Sequence, residues 1–227
     1  MPAFPPALFP DCVRTCVSDG ADLPDDLTLF PEEAPAVAQA VETRRREFAA
    51  GRWCARRALA ALGVESVAIP VAARRAPVWP AGVVGSISHC RGFVGAAVAP
   101  VTCLSALGFD VELAEPLAPE LVASICTDVE QAWMARDPRA PGCGWPKLLF
   151  SAKESVHKCI FPTFGRTLDF VDVTIVVDPA HGTFAVRSAR PEATAGAPLE
   201  SIHGRWAATG PFVMTSAVIL AASARTR

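Results

Sequence analysis

The chain has 227 residues, 51% of them hydrophobic, with 21 basic and 23 acidic side chains and a formal net charge of -2 at pH 7. That length can bury a sizeable core as one domain or as two small halves. The near-neutral balance speaks against a general nucleic-acid binder, which needs an extended basic surface, and no apolar run approaches the roughly 20 residues of a membrane span.

The start, Met1-Pro2-Ala3-Phe4-Pro5-Pro6, lacks the basic and apolar regions of a signal peptide, so the cytoplasm is the expected location. From Met1 to about Pro35 the chain is rich in proline and acidic residues and reads as one early strand with irregular loops. Cys12 and Cys16 have no matching second pair of the kind zinc requires. Eight cysteines without a C-x-x-C pair or secretory context read as reduced thiols, Cys54 and Cys159 among them as small core residues. The strongest helical stretch is Ala36 to Leu62, with Phe48, Ala55, Leu59 and Leu62 on one stripe and Gly63 as its stop. Its other face carries Arg44, Arg45, Arg46, Arg52, Arg56 and Arg57. Guanidinium forks bind phosphate in bidentate fashion; a solvated basic face is the alternative.

A strand is expected over Ser66 to Val71, then the basic step Arg74-Arg75 and a turn through Pro77, Trp79 and Pro80. Val83 to His89 reads as a buried strand and Gly92 to Val98 as its hairpin return, which puts Ser88 and His89 at a strand end, either as structural hydrogen-bonding groups or as ligand contacts. In the strand Gly108-Phe109-Asp110-Val111-Glu112, alternation points Asp110 and Glu112 to one side. Glu115, Pro116 and Pro119 end regular structure before a helix opened by the capping box Thr127-Asp128-Val129-Glu130, and Asp137 to Gly144 is a loop. Trp145 to Ile160 is a helix in which Glu154 and Lys158 share one face and Lys153 and His157 the adjoining one. Strands at 171–177 and 182–186, a loop at 190–198, a closing hairpin and a frayed tail from Ala221 complete an α+β fold. Its two halves, 1–105 and 106–227, each read as a helix packed on a small antiparallel sheet.

Two carboxylates on one strand face repel unless a cation sits between them. Adding Glu154 completes a three-oxygen anchor suited to Mg²⁺, which takes its remaining ligands from water and substrate phosphates, and Mn²⁺ accepts the same oxygens. The bland readings are a capping box at Ser151-x-x-Glu154, a Glu154 to Lys158 helical ion pair of about 0.2–0.5 kcal/mol, and a solvated strand face at Asp110 and Glu112. No G-x-x-x-x-G-K-[ST] loop supports a nucleoside triphosphate. Of the 21 basic residues only Lys147, Lys153 and Lys158 are lysine, so a titratable ammonium is concentrated where the carboxylates are.

Gly-Phe-Asp-Val-Glu at 108–112, followed about forty residues later by Phe-Ser-Ala-Lys-Glu-Ser-Val-His-Lys at 150–158, resembles the paired signature of 4'-phosphopantetheinyl transferases. Ser86-Ile87-Ser88-His89 and the Arg44 to Arg57 segment follow that family's order. The likeness is greatest to the monomeric, surfactin-type enzymes, especially their enterobactin-synthetase-component-like actinobacterial branch, and runs from about Phe30 to Leu220. The resemblance implies a pseudo-twofold arrangement of the halves. It also implies transfer of the 4'-phosphopantetheine group of coenzyme A, the co-substrate, to a serine of an apo acyl, polyketide or peptidyl carrier protein, with release of 3',5'-ADP. Arg44, Arg52, Ser88 and His89 then contact coenzyme A, and Arg74 or Arg75 replaces a family lysine aligned at Val71.

Joined to the site, the resemblance leads to a metal-organised in-line phosphoryl transfer. Asp110, Glu112 and Glu154 hold the ion, and Glu154 or a water on the metal takes the serine proton. Lys158 stabilises or protonates the leaving phosphate, while Lys153 holds a diphosphate oxygen. The alternative is a catalytically silent module that binds coenzyme A or a carrier protein. Fatty-acid, polyketide and nonribosomal-peptide carriers are all open, as is the number of metal ions.

Overall fold

A computed structural model of the chain describes residues 3–137 and 140–222, so part of the expected 137–144 loop and most of the expected frayed tail lie outside the described residues. The chain divides into two compact units. One holds Pro10–Leu107 with the described residues up to Phe4 and from Leu220 on; the other holds Gly108–Ile219 with Pro5–Phe9.

The first unit contains β1 (Arg14–Ser18), α1 (Glu42–Ala60), β2 (Val83–Cys90) and β3 (Phe93–Pro100). Its sheet is antiparallel in the order β1-β3-β2. The central β3 is a run of small apolar residues buried from Phe93 to Ala99, so α1 can lie close, with Cys54, Ala55, Ala58 and Leu59 against Val94, Ala96 and Val98. The helix begins later than periodicity predicts: Ala34–Val37 is a separate 3₁₀ turn and Val41 is extended at φ −65°, ψ 157°. Arg45 closes that break by donating to the carbonyl oxygens of Ala38 and Ala40, at 2.7 and 2.8 Å.

Two expectations fail here for physical reasons. The strand over Ser66 to Val71 does not form; one bridge joins Val71 to Pro77, and the Ile69 N–H is spent on Glu33 Oε1 at 2.8 Å instead of on a neighbouring strand. Nor are all the thiols reduced, since Cys12 and Cys103, 91 residues apart, form a disulfide. The β1–β3 register, with Arg14 opposite Val98, carries Cys12 to the end of β3 at Pro100, next to the turn that holds Cys103. Cys54 and Cys159 are buried free thiols, as expected.

The second unit is built from β4 (Leu104–Leu113, whose first residues belong to the other unit), α2 (Pro119–Ile125), α3 (Asp128–Met134) and α4 (Gly144–Phe164). They are followed by β5 (Val173–Asp178), β6 (Thr183–Ser188), α5 (Pro191–Thr194), β7 (Ile202–Thr209) and β8 (Phe212–Leu220). The sheet order is β4-β8-β7-β6-β5. Pro119 opens α2 where the end of regular structure was expected, because proline at the first turn of a helix forfeits no hydrogen bond. The capping box of Thr127 and Glu130 forms as its spacing predicts. The long α4 runs past Ile160 and stops at Gly165, in the left-handed region at φ 65°.

β4 meets α4 through a glycine. A Cβ at Gly108 would lie 2.1 Å from the Ser155 carbonyl oxygen and 2.4 Å from the Cys159 nitrogen, so only hydrogen lets strand and helix backbones approach this closely.

Both units repeat one hydrogen-bond plan around a buried glutamate. In the first, Glu33 accepts from Phe30 N, from Ile69 N and from Arg56, 23 residues on, whose guanidinium also donates to the Thr28 carbonyl. In the second, Glu130 accepts from Thr127 N, from Ile175 N and from Lys153, again 23 residues on, whose ammonium also donates to the Ile125 carbonyl. The strand orders β1-β3-β2 and β4-β8-β7 match as well, each with its long helix between the first strand and a closing hairpin. Among the described residues no helix is long and apolar enough to cross a membrane.

Gly108→Ala is expected to lower Tm by about 2–12 °C or abolish soluble expression, the consequence of overpacking by about 1–3 kcal/mol in a chain of this size. A thermal melt within 2 °C of the parent's would show that α4 yields without cost.

Candidate active site

α4 carries Lys147, Ser151, Glu154 and Lys158 at helical spacings of four, three and four, a single stripe. That stripe meets the polar residues of β4. Asp110 is 3% exposed; its Oδ1 accepts from Lys158 Nζ at 2.6 Å and its Oδ2 from Ser151 Oγ at 2.9 Å. Glu112, at the more open end of the strand, accepts from Lys147 Nζ at 3.3 Å. These contacts exclude the capping reading of α4, since Ser151 is inside the helix and turned to Asp110; Lys158 donates to Asp110 while its charge also acts on Glu154.

The three carboxylates feel one another. Burial and then the Asp110 charge raise the Glu112 carboxyl above its usual range, with Lys147 opposing. Burial raises Glu154, Lys158 opposes, and Asp110 and Glu112 raise it further. Hard oxygen donors crowded in this way suit Mg²⁺ by type and by charge. Among the described residues no three acidic, histidine or cysteine side chains form a ready-made cation cage, and it is Lys158 and Lys147 that supply the positive charge.

Lys153 departs from its expected role as a diphosphate ligand. Its ammonium is buried and donates to Glu130 Oε2 at 2.7 Å, the Ile125 carbonyl at 2.7 Å and the Phe170 carbonyl at 2.8 Å, which engages all three hydrogens. Burial pushes its pKa down and Glu130 pushes it back up. Beside Glu154 opens a cleft of about 650 Å³ with an apolar wall of Val156, Leu168, Phe170 and Val173, and His157 at its edge. His157 stacks on Phe161 at an interplanar angle of 6°.

In the first unit, Arg44 and His89 lie together: Arg44 Nη1 is 2.7 Å from His89 Nε2 and 3.2 Å from Glu47 Oε2. Ser88 is buried on β2. Arg52 is not on a solvated face. It is 5% exposed, lies over the Phe48 ring, donates through Nε to the Ile69 carbonyl at 2.8 Å, and leaves Nη2 buried without a protein partner. Burial lowers its pKa to about 10, Glu33 opposing, so it is charged at neutral pH. Arg74 and Arg75 stand on an exposed loop and both adopt left-handed backbone, φ 52° and 65°, a strain of the order of 1–3 kcal/mol each that loops at functional sites commonly carry.

Reading by motif missed Lys147, Ser151 and Glu130 as parts of the site. The first two were detectable from the 147-151-154-158 stripe; Glu130 shows at sequence level only as a capping residue.

Residues 32–99 match the family model described as the 4'-phosphopantetheinyl transferase N-terminal domain, and residues 106–209 match that of the 4'-phosphopantetheinyl transferase superfamily. The chain is similar to 4'-phosphopantetheinyl transferase Svp of Streptomyces mobaraensis, 45% identical over 209 residues that cover 90% of this chain and 85% of the relative. It is 37% identical over 204 residues to 4'-phosphopantetheinyl transferase Npt of Nocardia iowensis, covering 86% and 91% of the two chains. A further relative, 4'-phosphopantetheinyl transferase PptT of Mycobacterium tuberculosis, is 37% identical over 201 residues, with coverages of 86% and 88%.

The raised carboxyls favour the protonated form in the folded state, so the stability they contribute is full below the ordinary value of 4.5 and is lost as pH rises through the raised folded value. Glu154→Gln, neutral throughout, is expected in chelator to match the parent's Tm near pH 4 and to exceed it near pH 8. A Tm difference that does not grow with pH contradicts the crowding.

Proposed function

The chain belongs to the 4'-phosphopantetheinyl transferase superfamily, and from that premise we propose how its own residues divide the work. It is a 4'-phosphopantetheinyl transferase, which moves the 4'-phosphopantetheine arm of coenzyme A to a carrier protein. The serine oxygen of the carrier forms a bond to the phosphorus bearing the pantetheine arm, and the bond from that phosphorus to 3',5'-ADP breaks.

On this reading Asp110, Glu112 and Glu154 anchor a divalent cation, Mg²⁺ or the similarly oxygen-seeking Mn²⁺. When bound, the ion would supply positive charge to the diphosphate oxygens. The observation that supports the assignment is that Asp110 and Glu112 are bonded to the Lys147-Ser151-Lys158 stripe that also carries Glu154, whose carboxyl both of them raise. Glu154 takes the serine proton. Lys158, already ion-paired with Asp110, stabilises charge on the leaving phosphate. The half-apolar cleft beside Glu154 suits the uncharged arm.

The nucleotide phosphates are assigned to the first unit's cations, Arg44 with His89, Arg52, and the Arg74-Arg75 loop, with Ser88 as a neutral donor. The buried Nη2 of Arg52 supports this, since a guanidinium nitrogen without a partner is costly unless an anion meets it. The reading takes the enzyme to be a cytoplasmic monomer that binds neither nucleic acid nor membrane, serving acyl, polyketide or peptidyl carriers.

The test is the intact mass of an apo carrier protein after incubation with this protein, coenzyme A and Mg²⁺. A gain of one phosphopantetheine that a chelator abolishes is expected, and Asp110→Ala should remove it; near-normal Mg²⁺-dependent turnover by that variant would sink the metal assignment. Arg44→Ala is expected to raise KM for coenzyme A about tenfold with kcat little changed, the loss of one charge-assisted hydrogen bond.

A further inference from the structure

The glutamate hub of the second unit touches neither carboxylate of β4, yet it is joined to the site by a single peptide bond. Glu130 is 1% exposed and accepts three hydrogen bonds, from Thr127 N, Lys153 Nζ and Ile175 N, each at 2.7 Å. Lys153 precedes Glu154 in α4, and its remaining hydrogens go to the Ile125 carbonyl at the end of α2 and to the Phe170 carbonyl in the cleft wall. One ammonium therefore ties α2, α3, α4 and the 170 turn together immediately beside Glu154.

A buried ion pair is a poor device for stability alone, because an apolar pair of the same volume often does as well or better. What a charged, fully hydrogen-bonded pair does supply is direction. Three acceptors fix where Nζ sits, and so fix the rotation of α4 about its axis. Glu154, one residue on, is thereby held where it lines the cleft and feels the charges of Asp110 and Glu112.

We propose that Glu130 is a positioning residue for the transfer, acting through Lys153 to hold Glu154 at the acidic cluster. The inference rests on the reading of Asp110, Glu112 and Glu154 as the metal anchor. The first unit provides an internal comparison. Glu33 and Arg56 make the corresponding bonds at the same spacing, but the residue after Arg56 is Arg57, which lies over the Trp53 ring, instead of a carboxylate. The hub itself is an architectural device; only in the second unit does it adjoin a carboxylate of the acidic cluster.

The experiment compares Glu130→Asp, Lys153→Met, Lys153→Arg and the matched control Glu33→Asp with the parent. It measures Tm, kcat, both KM values, and Mn²⁺ affinity from the paramagnetic resonance of free Mn²⁺ at saturating coenzyme A. Glu130→Asp and Lys153→Met are expected to lose about 10- to 100-fold in kcat and in Mn²⁺ affinity, as partners behind a metal ligand do, with KM for the carrier within about twofold. Lys153→Arg should regain much of what Lys153→Met loses, since a guanidinium already fills this place in the first unit. Glu33→Asp should lower Tm comparably and leave Mn²⁺ affinity unchanged. Folded Glu130→Asp with the parent's kcat and Mn²⁺ affinity overturns the proposal, as does an equal loss of affinity in Glu33→Asp. Should Lys153→Met not fold, Glu130→Asp, which keeps the charge, decides. Failure of the underlying site reading shows separately, as a parent protein whose transfer needs no metal.

Discussion

Like charges drawn out of water repel more strongly, and Asp110 and Glu112 are held against that repulsion by groups on one stripe of one helix, the stripe that also carries Glu154. Lys158 and Ser151 each take an oxygen of Asp110, and Lys147 takes Glu112. The two bonds to Asp110 form where β4 and α4 lie nearly backbone to backbone at Gly108. The electrostatics of the site thus depend on a residue that carries no charge and no side chain.

Placement in depth is the second constraint. Each unit uses a buried glutamate to collect backbone N–H groups that its sheet leaves unpaired, and then neutralises that glutamate with a cation from its long helix. In the first unit this arrangement draws Arg56 into the interior, so that part of an apparently solvated arginine face is internal scaffolding. Arg44 keeps a surface position beside His89.

Much of this was legible in the residues themselves. Period-two alternation put Asp110 and Glu112 together, and helical spacing put Glu154 with Lys158, because both periods are properties of a single element. What one element cannot reveal is what lies across from it. Lys153 and Lys158 look alike in a motif, yet one faces a buried glutamate and the other an aspartate on a strand. Ser66 to Val71 read as a strand, but Glu33 takes the Ile69 amide that a ladder requires. Pro119 carries a signal for both an ending and a beginning, and only the chain after it decides. Cys12 and Cys103 are brought together by strand register, which no local pattern announces.

The scarcity of lysine acquires a chemical meaning from this arrangement. All three lysines lie on α4, and each is committed to a different carboxylate: Lys147 to Glu112, Lys153 to Glu130 and Lys158 to Asp110. Their side-chain exposures grade from 27% at Lys158 through 14% at Lys147 to 1% at Lys153. Apart from its amino terminus, the protein therefore presents amine-selective reagents with targets on this one helix alone. A general surface label for most proteins becomes, for this one, a titrant of the acidic cluster and of the hub behind it.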